Sequence, residues 1–190
     1  MAYVISIEGS QGVGKSTLST NLQKYFPNWI YLDEQGLKEL QQKKANTHLK
    51  MEIEDDYYEI QKWYLNYEIK TFKNLKETDK CIVVRGPEII DFFISMYPRT
   101  IGKNWDVERG LKNEFAEFRY HCQSNKIVFL DAPKPIIDQR VFNDTKVRPT
   151  AKYWMNTWHD LYRNFFMHHP KTTMLDTLKK KPEEVKEIFI

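Results

Sequence analysis

The chain has 190 residues, 41% hydrophobic and 29% charged, which suits one domain with its own core and no need of disulfide or metal staples. Its 29 Lys and Arg against 26 Asp and Glu give a net charge of +3, too mild to favour nucleic acid or an anionic membrane as partner. No stretch approaches the roughly 18 apolar residues of a spanning helix, Met1–Glu8 has no basic leader, and the two cysteines, Cys81 and Cys122, form no C-x-x-C; the expectation is a soluble protein of a reducing, cytoplasmic compartment.

Short apolar, β-branched runs alternate with longer amphipathic stretches. The predicted elements in chain order are a strand at Tyr3–Glu8, a helix at Lys15–Tyr25, a strand at Trp29–Leu32 and a long helix at Glu52–Lys76. A strand at Cys81–Val84 and helices at Pro87–Met96 and Val107–Ser124 follow. Then come a strand at Lys126–Asp131, helices at Pro135–Asn143 and Ala151–His168, a strand at Thr172–Leu175 and a short helix from Pro182. Strands that read as apolar throughout belong to parallel sheets covered on both faces. The alternation predicts a doubly wound α/β domain over residues 1–190, with right-handed crossovers.

The densest signal is Gly9-Ser10-Gln11-Gly12-Val13-Gly14-Lys15-Ser16-Thr17. It fits G-x-x-x-x-G-K-[ST] between a predicted strand and a predicted helix. Glycines let the backbone curl so that several N–H groups face one phosphate, and the helix adds the positive end of its dipole. Lys15 then reaches the terminal phosphates and the Ser16 hydroxyl ligates Mg²⁺. The backbone of Gly9, Gln11, Gly12, Val13 and Gly14, with Lys15, Ser16 and Thr17, is the expected nucleotide cradle. The loop does not by itself separate a kinase from a GTPase, a motor or a passive binder. Asn125-Lys126-Ile127-Val128 lacks the acid of the N-K-x-D motif by which small GTPases read guanine, so ATP is the expected nucleotide.

From Ile5-Ser6-Ile7-Glu8-Gly9 through Gly14-Lys15-Ser16-Thr17-Leu18 the chain resembles the deoxynucleoside kinase and thymidylate kinase group. The resemblance extends unevenly over most of the chain. It implies a five-stranded sheet of order 2-3-1-4-5, a reaction site along its carboxyl edge and a small lid near 140–150. It implies transfer of the γ-phosphoryl of Mg²⁺-ATP to a nucleoside or nucleotide. By resemblance, Glu34, after the second strand, is the candidate general base. Gln61 is the candidate for reading a base edge, because an amide both donates and accepts, with Tyr57, Tyr64 and Trp63 packing the ring. Arg85 follows the third strand and suits a hydroxyl or phosphate of the acceptor. Arg140, Lys146 and Arg148 match the basic character of the lid. Helical homodimers are frequent in that group; no nucleic-acid or membrane partner is expected.

The resemblance fails at Val84. The related kinases carry Asp or Glu before the Arg, and a valine can neither accept a proton nor reach Mg²⁺ through water. Glu88, Asp33 and Asp131 are the candidate replacements. Two alternatives stand beside the nucleoside or nucleotide kinase: a kinase of another small hydroxylated molecule, which would differ only in the acceptor pocket, and, because of Val84, a nucleotide-binding protein with little transfer activity.

Overall fold

The computed structural model describes residues 1–33, 35–144, 151–179 and 184–190. Five strands, β1 (Tyr3–Gly9), β2 (Ile30–Leu32), β3 (Lys80–Val84), β4 (Lys126–Asp131) and β5 (Thr172–Asp176), form one sheet. Every pairing is parallel and the order is β2-β3-β1-β4-β5, as the resemblance implies. β1 is central. Its Ile7 lies opposite Val84 of β3 and Val128 of β4. The carboxyl ends of these strands therefore finish together, at the point where the order reverses and open α/β sheets bind ligands.

The described helices are α1 (Lys15–Tyr25), α2 (Gln35–Thr47), α3 (Glu54–Lys73), α4 (Pro87–Thr100), α5 (Val107–Gly110), α6 (Lys112–His121), α7 (Lys134–Phe142), α8 (Ala151–Thr157) and α9 (His159–His168). A 3-10 turn, Lys186–Phe189, ends the chain. The period-two alternation of the strands sends their side chains to two cores. Val4, Cys81, Val83, Ile127 and Phe129 pack with Leu65 and Ile69 of α3, Ile94 of α4, Phe115 of α6 and Phe166 of α9. Ile5, Ile7, Ile82, Val128 and Leu130 pack with Leu18 and Leu22 of α1, Ile137 of α7 and Phe189. The first face also carries two buried polar residues of β1, Ser6 and Glu8. Ser6 shares a hydrogen bond with Ser124.

β4 has the expected bounds and the other strands differ by one residue at one end, and α1 is the helix that the sequence predicts. α3 is two residues shorter at its start and three at its end than expected, and four helical stretches differ further. α2 has only Leu37 and Leu40 as large apolar residues in a run of Gln, Lys and Glu with a glycine in its first turn, too little for a periodic signal. The stretch expected as one helix over 107–124 stops and restarts at Leu111, where two short helices meet. The stretch over 151–168 breaks at Trp158, a fully buried indole. α4 runs on to Thr100 through Pro98, which removes the intrahelical bond to the Ile94 carbonyl; that carbonyl accepts the Tyr57 hydroxyl instead. Pro182, the predicted start of the last helix, lies outside the described residues.

Candidate active site

The segment after β1 turns sharply into α1. Gly9, Gly12 and Gly14 hold φ of 130°, 83° and 110°, a region that side-chain-bearing residues rarely adopt. At Gly12 a Cβ would also sit 2.5 Å from Val141 of α7, so the loop lies directly on that helix. α1 begins at Gly14 with no side-chain cap. Its first-turn N–H groups have no intrahelical acceptor, which leaves them for an anion. Lys15 is buried and curls back over the loop, donating to the carbonyls of Gly9 at 2.7 Å and Ser10 at 3.0 Å. Ser16 and Thr17 are exposed at the mouth. Gln11 keeps a buried Oε1 with no hydrogen-bond partner among the described residues, an orphan that costs about 1–3 kcal/mol when nothing donates to it.

Other elements brace this loop. Arg140 of α7 donates to the Val13 carbonyl at 3.4 Å and the Thr177 hydroxyl at 3.1 Å. A cation is thus fixed beside the loop. The Ser10 hydroxyl lies 2.7 Å from Nδ1 of His159, both buried. The sequence offered no signal for this contact, because His159 follows the loop by 149 residues and matches no motif. Beneath the loop, the Glu8 carboxylate accepts the Gly86 N–H at 2.5 Å. Burial pushes the Glu8 carboxyl up to about 8, against the opposing pull of the Gly86 N–H, Lys15 and Arg85. A cavity of about 10 Å³ sits among Glu8, Ser10, Gln11, Arg85, Trp154 and His159, the size of a single water.

Arg85 joins this floor to a second space. Its φ is 63°, in the left-handed region that costs a non-glycine residue about 1–3 kcal/mol and recurs at functional sites. Its N–H donates to Ile7 at 3.2 Å, so the turn is pinned to β1. Its guanidinium lies 5.4 Å from the Trp154 ring centre. On its other side opens a cleft of about 200 Å³. Tyr31 and Asp33 from the end of β2, Tyr64, Tyr67 and Glu68 of α3, and Val83 of β3 line it.

The residues singled out by sequence sort into three groups. Arg85, Tyr64 and Asp33 meet at the cleft. Asp33 is at its rim, ion-paired with Lys38 at 3.2 Å. Gln61 lies on α3 one turn before Tyr64; it is buried, its Nε2 donates to Met51 Sδ at 3.6 Å, and its Oε1 has no partner among the described residues. Gln61, Tyr57 and Glu88 line neither cavity. Tyr57 is fully buried, stacks on Tyr97 at 5.4 Å and donates its hydroxyl to the Ile94 carbonyl, so its ring belongs to the core. Glu88 accepts from the N–H and hydroxyl of Ser124 at 2.8 and 2.7 Å. Asp131 is held by Arg163 at 3.0 Å. Glu34, Lys146 and Arg148 lie outside the described residues. Glu8, adjoining the loop motif itself, is the acid the sequence reading passed over; its place at the last turn of β1 before Gly9 was the available signal.

The set of donors suits Mg²⁺ brought in with a nucleotide rather than a protein-built cage. Ser16 offers an exposed hydroxyl, and no cluster of three or more His, Cys, Asp or Glu exists among the described residues. Mg²⁺ bound through few protein ligands plus phosphate oxygens is the usual arrangement.

No described helix is long and apolar enough to cross a membrane. No curated protein matches the chain. A family model described as an AAA domain matches residues 4–172, which spans β1 to the start of β5 and includes the phosphate loop, the cleft and the α7 arginine. With its parallel 2-3-1-4-5 sheet and this loop, the chain belongs to that AAA-domain family of P-loop NTPases.

Proposed function

We propose that this protein is an ATP-dependent phosphotransferase that moves the γ-phosphoryl group of Mg²⁺-ATP to a hydroxyl or phosphate of a nucleoside or nucleotide. One observation carries the reading: Arg85, held at positive φ, lines both the floor beneath the phosphate loop and an adjoining cleft of about 200 Å³. A nucleoside triphosphatase needs only water at its γ-phosphate. A second cleft opening on the same arginine is what a transferase needs. Its volume is below the roughly 300–1,000 Å³ of drug-sized pockets, so the acceptor is small.

In this reading the uncapped start of α1 and the backbone of Gly9–Gly14 hold the phosphates. Lys15 swings from the Gly9 and Ser10 carbonyls to the terminal phosphates; the Ser16 hydroxyl would hold Mg²⁺, which would supply charge neutralisation on the phosphates when bound. Arg140 and Arg85 flank the group in flight, where fixed cations stabilise developing charge. The acceptor oxygen bonds to the γ-phosphorus as its bond to the β–γ bridging oxygen breaks, and ADP leaves. The hydroxyl proton passes to a carboxylate, for which Glu34 is the candidate by its place after β2. Tyr64, on the cleft wall, holds the ring, and Gln61, buried one turn before it on α3, reads the base edge only if its side chain leaves Met51. The reading also takes residues 1–190 as one domain with a lid near 140–150.

Val84 favours a second reading, a nucleotide-binding protein with little transfer activity. Val84 is buried opposite Ile7 in β3 and offers no acid where related kinases have one. Turnover of Mg²⁺-ATP with a panel of nucleosides and their monophosphates separates the two. Lys15→Ala is expected to lower acceptor-dependent ADP release at least about hundredfold, the loss that follows removal of a group stabilising transition-state charge, with the fold retained by circular dichroism. Unchanged turnover in that variant contradicts the assignment of the loop.

A further inference from the structure

Glu68 has no assigned role, and its setting is unusual. It lies on α3 with Tyr64 and Thr71, at spacings of four and three that place all of them on one helical stripe; that stripe forms one wall of the cleft. The carboxylate is half-buried, and among the described residues nothing donates a hydrogen bond to it or pairs with its charge. Burial alone pushes its carboxyl up to about 7. The other acid of the cleft, Asp33, already has Lys38. The opposing cation is Arg85. Aromatic rings complete the walls, with Tyr31 and Tyr64 on the lining and Tyr67 stacked on Trp63 at 5.7 Å. Gly36 of α2 leaves room for the acid: a Cβ there would overlap the Glu68 carboxylate and come within 2.9 Å of the Tyr67 ring.

A carboxylate partly withdrawn from water and without a protein donor is costly, and a ligand that brings a donor relieves the cost. A ligand that brings a second anion meets like charge in a low-dielectric wall, which costs several kcal/mol. The cleft therefore discriminates by charge. Resting on the phosphotransferase reading, we infer that Glu68 determines specificity: it binds a hydroxyl or amino group of an uncharged, ring-bearing acceptor and turns away the same acceptor carrying a phosphate.

Equilibrium binding and ADP release, each measured at pH 8.5, where Glu68 is ionised, with four deoxynucleosides and their 5′-monophosphates as probes, test this on the full chain. The wild type is expected to bind at least one nucleoside tenfold or more tightly than its monophosphate. In Glu68→Gln, which keeps the shape and removes the charge, that ratio falls tenfold or more while ATP affinity holds. Thr71→Lys, which sets a cation on the same wall, is expected to move the preference toward the monophosphate. A wild-type preference for the monophosphate, a ratio unchanged in Glu68→Gln, or no binding of any probe overturns the inference. The two readings fail separately. Glu68-dependent binding with no ADP release removes the transferase and keeps the discriminating cleft. Acceptor-dependent ADP release indifferent to Glu68 keeps the transferase and removes the role of Glu68.

Discussion

Glu8 is a carboxylic acid packed under a phosphate-binding loop, and its titration makes the protein's stability depend on pH. Its carboxyl is raised from the ordinary 4.5 to about 8 by burial. Between those values the folded protein holds a proton that the unfolded chain has released. Folding stability therefore falls as pH rises through that window, by up to about 1.4 kcal/mol per pH unit for one such group. Glu68 adds to the slope below about 7. Glu8→Gln keeps an acceptor for the Gly86 N–H and removes the charge, so urea unfolding should be less pH-dependent in this variant between pH 5 and 8, with the variant the more stable of the two at pH 8. A slope equal to wild type counts against a protonated Glu8. Val84 invites the opposite substitution. If a missing carboxylate limits transfer, Val84→Asp raises acceptor-dependent ADP release by about tenfold or more, within the range general bases contribute. A fall in activity, with wild-type turnover already present, means that another acid has taken the role.

At the scale of elements, the legible parts were those with strong local chemistry. β1, the loop and α1 were readable because an apolar run, three glycines and Lys-Ser-Thr follow one another within 17 residues, and each local preference agrees with the same local structure. The central strands β1, β3 and β4 were readable because burial on both faces makes them mostly apolar; the edge strands β2 and β5, only partly buried, were readable from their place between helical stretches. α2 was not, because a helix resting on α3 at the edge of the molecule carries two leucines among polar residues. The interruption at Trp158 was invisible for a different reason: it is fixed by tertiary packing, with the indole tilted on Phe93 at 4.9 Å and on Tyr162 at 5.3 Å, while its backbone bonds run on to Trp154 and Tyr162. The same packing presents His159 to Ser10. Trp158→Ala is expected to cost about 3–5 kcal/mol in urea unfolding, as for other buried aromatics cut to alanine. Phe142→Ala, at an 89% exposed residue of α7, should stay within about 0.5 kcal/mol. Equal costs at the two sites contradict the packing described.

Across the whole molecule, the candidate site was legible in proportion to how local it is. The phosphate cradle is contiguous in sequence and was read from it. The cleft is assembled from the end of β2, the start of α2, the middle of α3 and the end of β3, so its members share no spacing that a sequence pattern reports. Arg85 and Tyr64, singled out through resemblance, line that cleft. Glu68 and the Ser10–His159 contact needed the fold. Tyr57 shows the converse, since its helical spacing from Gln61 fits a pocket as well as a core and packing against Tyr97 decided for the core. Belonging to the AAA-domain family fixes nucleotide use by this fold; the arginine shared by loop and cleft is what argues for transfer to a second molecule. The most direct measurement is therefore ADP release from Mg²⁺-ATP by the purified chain, with and without each member of the nucleoside and monophosphate panel. The account predicts release that rises at least tenfold with an acceptor present and is abolished by Lys15→Ala. Release of the same rate without any acceptor, or ATP binding with no release under any condition, would contradict it.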